Sequence, residues 1–230
     1  MRVATLILAA GSSQRFGRPK QLEVLGESTV LQHAVRAFAG VDRVAEVWVV
    51  TSEEHEDDIR LLLAEEKNVT GFVLGGDTRA ASTTRALDAL DPSVSHVLVH
   101  DAARPLLPRA TVERCLDALQ DADVVATVVP PADTVVVLDE AGERVVSMPD
   151  RDHVRLHQTP QGFRRDLLAD AWARLAGESP STDDVTAVLR VFPDATVAFV
   201  DGDRRTMKVT HPDDLTVVRA LAAEWDPHPG

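Results

Sequence analysis

LILAAGSSQRFGRPKQL, residues Leu6 to Leu22, opens on an apolar run, breaks into small residues and then offers Arg15, Arg18 and Lys20. Val3 to Leu8 has no polar alternation, the pattern of a strand buried on both faces of a parallel sheet. Ala9 to Ser13 carry almost no side-chain bulk, so their N–H groups can approach phosphate oxygens closely. Cations just beyond such a loop read as a cradle for a triphosphate. Neither common phosphate fingerprint fits. Arg18 and Pro19 separate Gly17 from Lys20, and Gln21 follows it, which excludes a Walker A loop; Gly11 has no glycine two residues later, which excludes the dinucleotide motif.

Downstream the chain alternates regularly. Ser28 or Thr29 can cap a helix in which Val30, Leu31, Ala34, Val35 and Phe38 recur at helical spacing before Gly40 ends it. Strands follow at Val47–Thr51, Val69–Leu74, Val97–Val99 and Val124–Val129, with helices at Glu54–Glu66, Arg79–Leu90 and Thr111–Leu119 between them. This order predicts an α/β fold: a doubly wound, mostly parallel Rossmann-like sheet with ligands beyond the carboxyl ends of its strands. Pro130-Pro131 breaks the pattern, and ADTVVVLDEAGERVVSMP reads as two β runs around a turn at Asp139–Gly142, a projecting hairpin arm expected to pack on another subunit. LHQTPQGF comes next, then a helix over about 165–175, a loop with STDD, a helix to Leu189, a strand near Val197–Val200, the stretch Met207–Thr210 and a helix opening at Pro212. The 230 residues suit a single domain spanning 1–230, with 132–155 as the arm.

Composition narrows the partners. A net charge of −13 argues against nucleic acid and against anionic membranes, so any anion site is a concentrated pocket. One cysteine, Cys115, excludes an internal disulfide, and with no signal peptide or long apolar run it predicts a cytoplasmic protein. Of the 24 basic residues only Lys20, Lys67 and Lys208 are lysines, and two of those three sit in motif-like surroundings. A compact ammonium follows a phosphoryl group through its transition state better than a planar fork. His96 and His100, four apart on a strand, lie about 13 Å from each other and read as structural, not as a metal pair.

The Gly-x3-Arg-x3-Pro-Lys loop resembles the sugar-nucleotidyltransferase signature. Five further stretches extend the resemblance: GGDTRAAS (Gly75–Ser82), HDAARP (His100–Pro105), Asp133-Thr134, HQTPQGF (His157–Phe163) with Arg151 before it, and TDD (Thr182–Asp184) followed by MKVTHPDDL (Met207–Leu215). Together they resemble the 2-C-methyl-D-erythritol 4-phosphate cytidylyltransferase family across most of the chain. That resemblance implies transfer of a cytidylyl group from CTP to a polyol phosphate, with Mg²⁺ bridging the CTP oxygens. By the same carry-over Arg15, Lys20 and Lys208 are catalytic, and Ala9, Ala10, Gly11, Gly75, Gly76, Asp77, Ser82 and Ala102 bind CTP. Asp101, Arg104, Thr134, Arg151, Thr159 and Thr182 bind the acceptor; Asp101 also stands as a metal ligand, and Arg79 lines the pocket. Thr134 and Arg151 belong to the arm, which in the family closes the neighbour's site, so the resemblance implies a homodimer.

The chain departs from the family pattern at Val136, Arg85 and Val185. The arm and TDD regions read the acceptor, and ribitol 5-phosphate cytidylyltransferases share the loop, the fold and a similar HDxxRP stretch, so that acceptor stays open at this stage. FGRPKQLEVLG also resembles molybdopterin nucleotidyltransferases, which lack the TPQ and arm pattern. A nucleotide-binding regulator without catalysis is a further alternative, although it would have no use for Arg15, Lys20, Asp101 and Lys208 together.

Overall fold

The computed structural model describes residues 1–11, 13–177 and 183–225 and places the first apolar run, β1 (Val3–Leu8), inside a seven-stranded sheet. A short hairpin, β2 (Val24–Leu25) and β3 (Ser28–Thr29), leads into α1 (Val30–Arg36). Thr29 caps α1 reciprocally: its hydroxyl accepts from the Gln32 amide, and the Gln32 side chain accepts from the Thr29 amide. Then come β4 (Val44–Thr51), α2 (Glu56–Leu62), β5 (Gly71–Leu74), α3 (Arg79–Ala89), β6 (His96–Asp101), α4 (Arg109–Ala118) and β7 (Val124–Val129). The arm holds β8 (Val137–Leu138) and β9 (Val145–Ser147); β10 (Leu156–Arg164), α5 (Arg165–Arg174), α6 (Asp184–Val191), β11 (Val197–Asp201) and α7 (Pro212–Ala222) complete the chain.

The sheet order is β11-β7-β10-β6-β1-β4-β5, and β10 alone runs against the other six strands. Successive side chains of a strand point to opposite faces, and β1 shows what that does. Val3 and Ile7 join the core that covers one face with Leu31 and Val35 of α1, Ile59 of α2 and Leu116 of α4. Ala4 and Leu6 join the other with Leu87 of α3, Leu168 and Trp172 of α5 and Val188 of α6. Burial of each such aliphatic side chain contributes about 1.5–3 kcal/mol. A third, smaller cluster of Phe16, Leu25, Val30, Leu106, Val209, Leu215 and Val218 packs α7 beneath the loop after β1.

The register sets where the loops meet. Leu8 pairs with Val50 on one side and Asp101 on the other, and Thr51 pairs with Leu74. The carboxyl ends of β1, β4, β5 and β6 therefore finish at one level.

Several boundaries differ from the sequence reading. The second core strand begins at Val44, not Val47; the helix expected over Glu54–Glu66 is a 3-10 turn followed by the seven residues of α2; the strand expected at Val69–Leu74 begins at Gly71; and the strand expected at Val97–Val99 runs through Asp101. Met207–Thr210 has no regular secondary structure and pairs with no strand, and the Val209 amide donates to the Ala103 carbonyl at 2.8 Å. LHQTPQGF, which the periodicity left without an element, is β10, at the middle of the sheet. It has no apolar run because the buried positions of β10 include Gln158, Thr159 and Gln161, whose side chains donate to groups elsewhere in the chain. Thr127 donates to the Pro160 carbonyl at 2.6 Å, and Gly162 is required because a Cβ there would lie 2.9 Å from the Leu119 side chain.

The arm stands apart as its own two-stranded sheet. Asp139 pins its turn, accepting from the amides of Glu143 and Arg144 at 2.9 and 3.3 Å. Val136, Val137, Leu138, Val145, Val146 and Met148 are all exposed along it.

Candidate active site

The loops that leave the level strand ends enclose a cleft of about 790 Å³, within the usual range for a small-molecule site. Ala9, Ala10 and Gly11 after β1, Ser52 and Glu53 after β4, Gly75 to Thr78 after β5 and Asp101 to Ala103 after β6 form its walls. Lys20, Gln21 and Lys208 close it from the side of the third cluster.

One wall is built on glycines. The Gly75 amide continues the sheet by donating to the Thr51 carbonyl at 2.7 Å, and a Cβ on Gly75 would lie 2.6 Å from the Ala10 Cβ and 2.8 Å from the Ser82 Oγ. The Ser82 hydroxyl accepts from the Gly76 amide at 3.1 Å and donates to its carbonyl at 3.2 Å, fixing the turn into α3. Protein packing alone therefore demands the glycine pair, and Ser82 holds its shape. Arg85, one turn further along α3, donates to the Gly75 carbonyl at 2.5 Å and lines the cleft. On the opposite wall the amides of Ala9 and Ala102 are already engaged, donating to Val50 and Leu8 carbonyls. Among the described residues the amides of Ala10 and Gly11 make no backbone bond.

Charge concentrates at the other end of the cleft, around Asp101. Its Oδ1 accepts from Arg79 Nη1 at 2.7 Å, and its Oδ2 accepts from Lys208 Nζ at 2.9 Å, with Arg104 Nε at 3.5 Å. Burial opposes ionisation of this carboxyl, but Arg79, Lys208 and Arg104 outweigh it and hold Asp101 well below the usual carboxylate range. Arg79 in turn donates through Nε to Asp184 Oδ2 at 2.7 Å, and Asp184 is fully buried. For the Arg79 guanidinium the cost of burial is outweighed by those two carboxylates, which raise it further. Among the described residues Lys20 makes no ion pair; burial first, and then Lys208, pushes its ammonium down against the weaker pull of Asp101. A cationic surface with one spare ammonium is poised for an added anion.

Behind Asp101 a buried relay sets its backbone. His100 Nε2 bonds the Arg104 carbonyl at 3.1 Å, which can only accept, so Nε2 carries the proton and Nδ1 accepts from the Thr159 hydroxyl at 2.9 Å. Thr159 Oγ1 then accepts the Asp101 amide at 3.0 Å. Burial drives His100 down to about 4, so the imidazole stays neutral.

The residues singled out by sequence divide accordingly. Lys20, Lys208, Asp101 and the glycine wall with Asp77 and Ser82 meet in the cleft. Arg104 lies against Asp101 and donates to the Thr206 carbonyl at 2.9 Å. Thr159 is buried and its hydroxyl is used by His100 and Asp101, so it supports the site from behind and is not on its lining. Arg15 is exposed in the turn after the small-residue loop, off the cleft lining. Arg18 is committed to Glu23 and lies over the Phe16 ring. Thr134 and Arg151 are exposed on and beside the arm, away from this chain's cleft. Thr182 lies outside the described residues. Sequence reasoning gave no role to Asp184, which stands in the TDD stretch, and treated Arg85 only as a departure. A buried carboxylate has no periodic signature, and only its partners reveal it.

For a divalent cation the donor set is sparse. Among the described residues no three His, Cys, Asp or Glu side chains converge, and the cleft carboxylates are Glu53, Asp77 and Asp101. Mg²⁺ is commonly held by one or two carboxylates plus substrate phosphates. The residues present therefore fit an ion that arrives with a nucleotide, with Asp101 as its buried protein contact, and not a resident metal cage. Among the described residues no helix is long and apolar enough to cross a membrane.

Known proteins share the sequence pattern and the fold. Residues 3–224 match the family model of IspD, 2-C-methyl-D-erythritol 4-phosphate cytidylyltransferase. The enzyme of that name from Thermobifida fusca is 40% identical, with 96% of this chain and 93% of the relative covered, and the one from Salinibacter ruber is 40% identical over 97% and 94%. Among solved structures, 4-diphosphocytidyl-2C-methyl-D-erythritol synthase from Anaerococcus prevotii superposes with a TM-score of 0.86 at 31% identity, covering 96% of this chain and 98% of that one. The Thermus thermophilus cytidylyltransferase gives 0.76 at 36% identity over 97% and 100%. A sheet with one reversed inner strand, a glycine wall, and a lysine held on a buried aspartate thus belong to a chain that is a member of the 2-C-methyl-D-erythritol 4-phosphate cytidylyltransferase family.

Proposed function

We infer that this chain joins CTP to 2-C-methyl-D-erythritol 4-phosphate, giving CDP-methylerythritol and pyrophosphate in isoprenoid biosynthesis. The observation that carries the reading beyond family membership is the meeting of Lys20, Lys208, Arg79 and Asp101 at one end of a nucleotide-sized cleft.

The acceptor's phosphate oxygen, already anionic at neutral pH, attacks the α-phosphorus of CTP. The new P–O bond forms as the bond to the β-phosphate oxygen breaks, and pyrophosphate leaves with that electron pair, so no covalent protein intermediate is required. Negative charge builds on the α-phosphoryl oxygens and the leaving group, and catalysis is a matter of position and opposing charge. Lys20, with no counter-ion of its own, supplies charge on the CTP side. Lys208, tethered to Asp101, holds charge where the acceptor phosphate enters. Arg15 stands at the rim of the same field. The glycine wall, Asp77 and Ser82 hold the cytidine end at the far side of the cleft, with Ala10 and Gly11 supplying amides. Mg²⁺, carried in by CTP and touching Asp101, would neutralise the departing pyrophosphate when bound.

The arm is the second part of the proposal. Its exposed apolar residues support a homodimer in which Thr134 and Arg151 reach the acceptor in the neighbour's cleft. A single domain with this arm, in the cytoplasm, suits a buried free Cys115 and an acidic surface that gives nucleic acid no footing.

Pyrophosphate release with CTP and Mg²⁺ tests the reaction, comparing 2-C-methyl-D-erythritol 4-phosphate with ribitol 5-phosphate at equal concentration. Strong preference for the first is expected. Preference for ribitol 5-phosphate, or silence with both, overturns the reading.

A further inference from the structure

Asp184 is a buried anion that the reaction itself does not use. Asp183 caps α6, accepting the Thr186 amide at 2.7 Å, and so fixes Asp184 as the first residue of the helix with its side chain turned into the core. There Asp184 Oδ1 accepts from Thr83 Oγ1 at 3.2 Å and Trp172 Nε1 at 3.1 Å, while Oδ2 accepts from Arg79 Nε at 2.7 Å. All three donors come from other elements, α3 and α5.

An unpaired carboxylate at zero exposure is costly, and a whole buried ion pair can often be replaced by packed apolar residues at no cost in stability. Its geometry shows what it does. Arg79 uses one edge of its guanidinium on Asp184 and Nη1 on Asp101 Oδ1. With Oδ1 so occupied, Oδ2 is left for Lys208. The planar fork turns the fixed place of α6 into a fixed orientation of Asp101, and through it of Lys208. Released from Asp184, the guanidinium could swing onto the phosphates or pull Asp101 off Lys208.

We propose that Asp184 is a positioning residue: by locking Arg79 it orients the Asp101 carboxylate, and with it the Lys208 ammonium, for the acceptor phosphate. The kinetic part of this rests on the reaction inferred above; the geometric part does not.

The experiment is Asp184→Asn, nearly isosteric, read in two ways. A crystal structure of the variant should show the Arg79–Asp101 or Lys208–Asp101 contact displaced by about 1 Å or more with the backbone unmoved. In turnover, kcat should fall roughly 10- to 100-fold while KM for CTP, bound largely at the other end of the cleft, changes less than about threefold, as expected when a small misplacement of a catalytic group is the fault. Trp172→Phe removes a donor to Asp184 but leaves its bond to Arg79, so it should lower Tm and leave kcat intact. If Asp184→Asn does not fold, Arg79→Lys takes its place: a flexible ammonium lacks the rigid fork that fixes the Nε and Nη1 directions, and the same kcat loss is expected. Contacts at their original lengths in the variant, or a kcat that tracks Tm across the Asp184 and Trp172 variants, overturns the proposal. A wild-type protein that releases no pyrophosphate overturns the inferred reaction instead, and the crystallographic distances still decide the positioning.

Discussion

The cleft and the arm solve opposite problems with the same chain. In the cleft the groups around Asp101 are tied inside the molecule: Arg79 lies between two carboxylates and Lys208 is on Asp101, while Ser82 grips the glycine turn. The arm keeps Val137, Leu138, Val145, Val146 and Met148 in solvent and holds its shape by little more than Asp139 at the turn. Chemistry at a phosphorus atom demands charges fixed in advance, because a stabiliser that must reorganise loses its advantage at the transition state. A contact surface needs only apolar area and a frame stiff enough to present it. On the proposed dimer the two regions should therefore fail differently: cleft variants in kcat, arm variants in assembly first.

The largest effect is expected at the ammonium groups. Lys20→Ala and Lys208→Ala should each lower kcat by 100-fold or more, about 3 kcal/mol or above, by analogy with loss of single transition-state stabilisers. Tm should hold for Lys20→Ala, since among the described residues Lys20 makes no ion pair, and should fall for Lys208→Ala, which strips a partner from the buried Asp101. A steady-state assay beside a melting curve checks both, and near-normal turnover in either variant breaks the assignment of that end of the cleft.

Next is the pH response of the relay behind Asp101. His100 stays neutral in the folded protein down to about 4, because burial disfavours its charged form, whereas in the unfolded chain it takes up a proton below about 6.5. The unfolded state then binds the extra proton across that window. Stability is thus fully present above about pH 6.5 and falls as pH drops toward 4, by up to about 3 kcal/mol from this group. His96, also lowered, adds in the same direction, while His157, raised by its bond to Asp183, contributes stability below about 6.5 that is lost as pH rises through its folded value. Denaturant melts of wild type and His100→Asn between pH 7 and 4 isolate the contribution. The difference in slope should be largest between pH 6.5 and 4, and parallel curves would show that His100 is not the buried neutral base described.

What could be read in the sequence follows this same division. β1 and β7 were legible to the residue because each is an apolar run interrupted by a single buried threonine, Thr5 and Thr127, and a strand covered by helices on both faces leaves that pattern directly. β10 lies just as deep, yet Gln158, Thr159 and Gln161 are buried there and bond groups far along the chain, Asp203, His100 and Asp183, which no periodicity encodes. Lys20, Asp101 and Lys208 were found because short motifs hold them; Asp184, at the start of a helix more than a hundred residues from Arg79, has meaning only through a partner far along the chain. Thr159 was legible as a position and not as a role: its motif marks the site, and only the geometry shows that it faces His100 and not the cleft.

The arm comes third. Val146→Asp places a charge in the middle of its apolar surface, and where that surface is buried between subunits the dimer should dissociate. Light scattering should show the lower mass, and kcat/KM for the acceptor should fall roughly tenfold, about 1.4 kcal/mol, while CTP binding holds. A wild-type protein that is monomeric at assay concentration and turns over normally would sever the arm from the site.

The smallest effect is expected where the family pattern is broken inside the cleft. Arg85 is exposed, and among the described residues its bond to the Gly75 carbonyl is the one side-chain tether on the glycine wall that comes from a charged group. A hydrogen bond of this kind at an exposed site contributes on the order of 1 kcal/mol or less, because water competes for both partners. Arg85→Gln should therefore raise KM for CTP about two- to fivefold and leave kcat unchanged, since the wall holds the nucleotide equally in the ground state and the transition state and removing uniform binding does not alter the chemical step. A fall in kcat at unchanged KM would instead place Arg85 with Lys20 and Lys208 among the groups that act on the developing charge. The division of the cleft into a holding end and a reacting end would then have to be redrawn along α3.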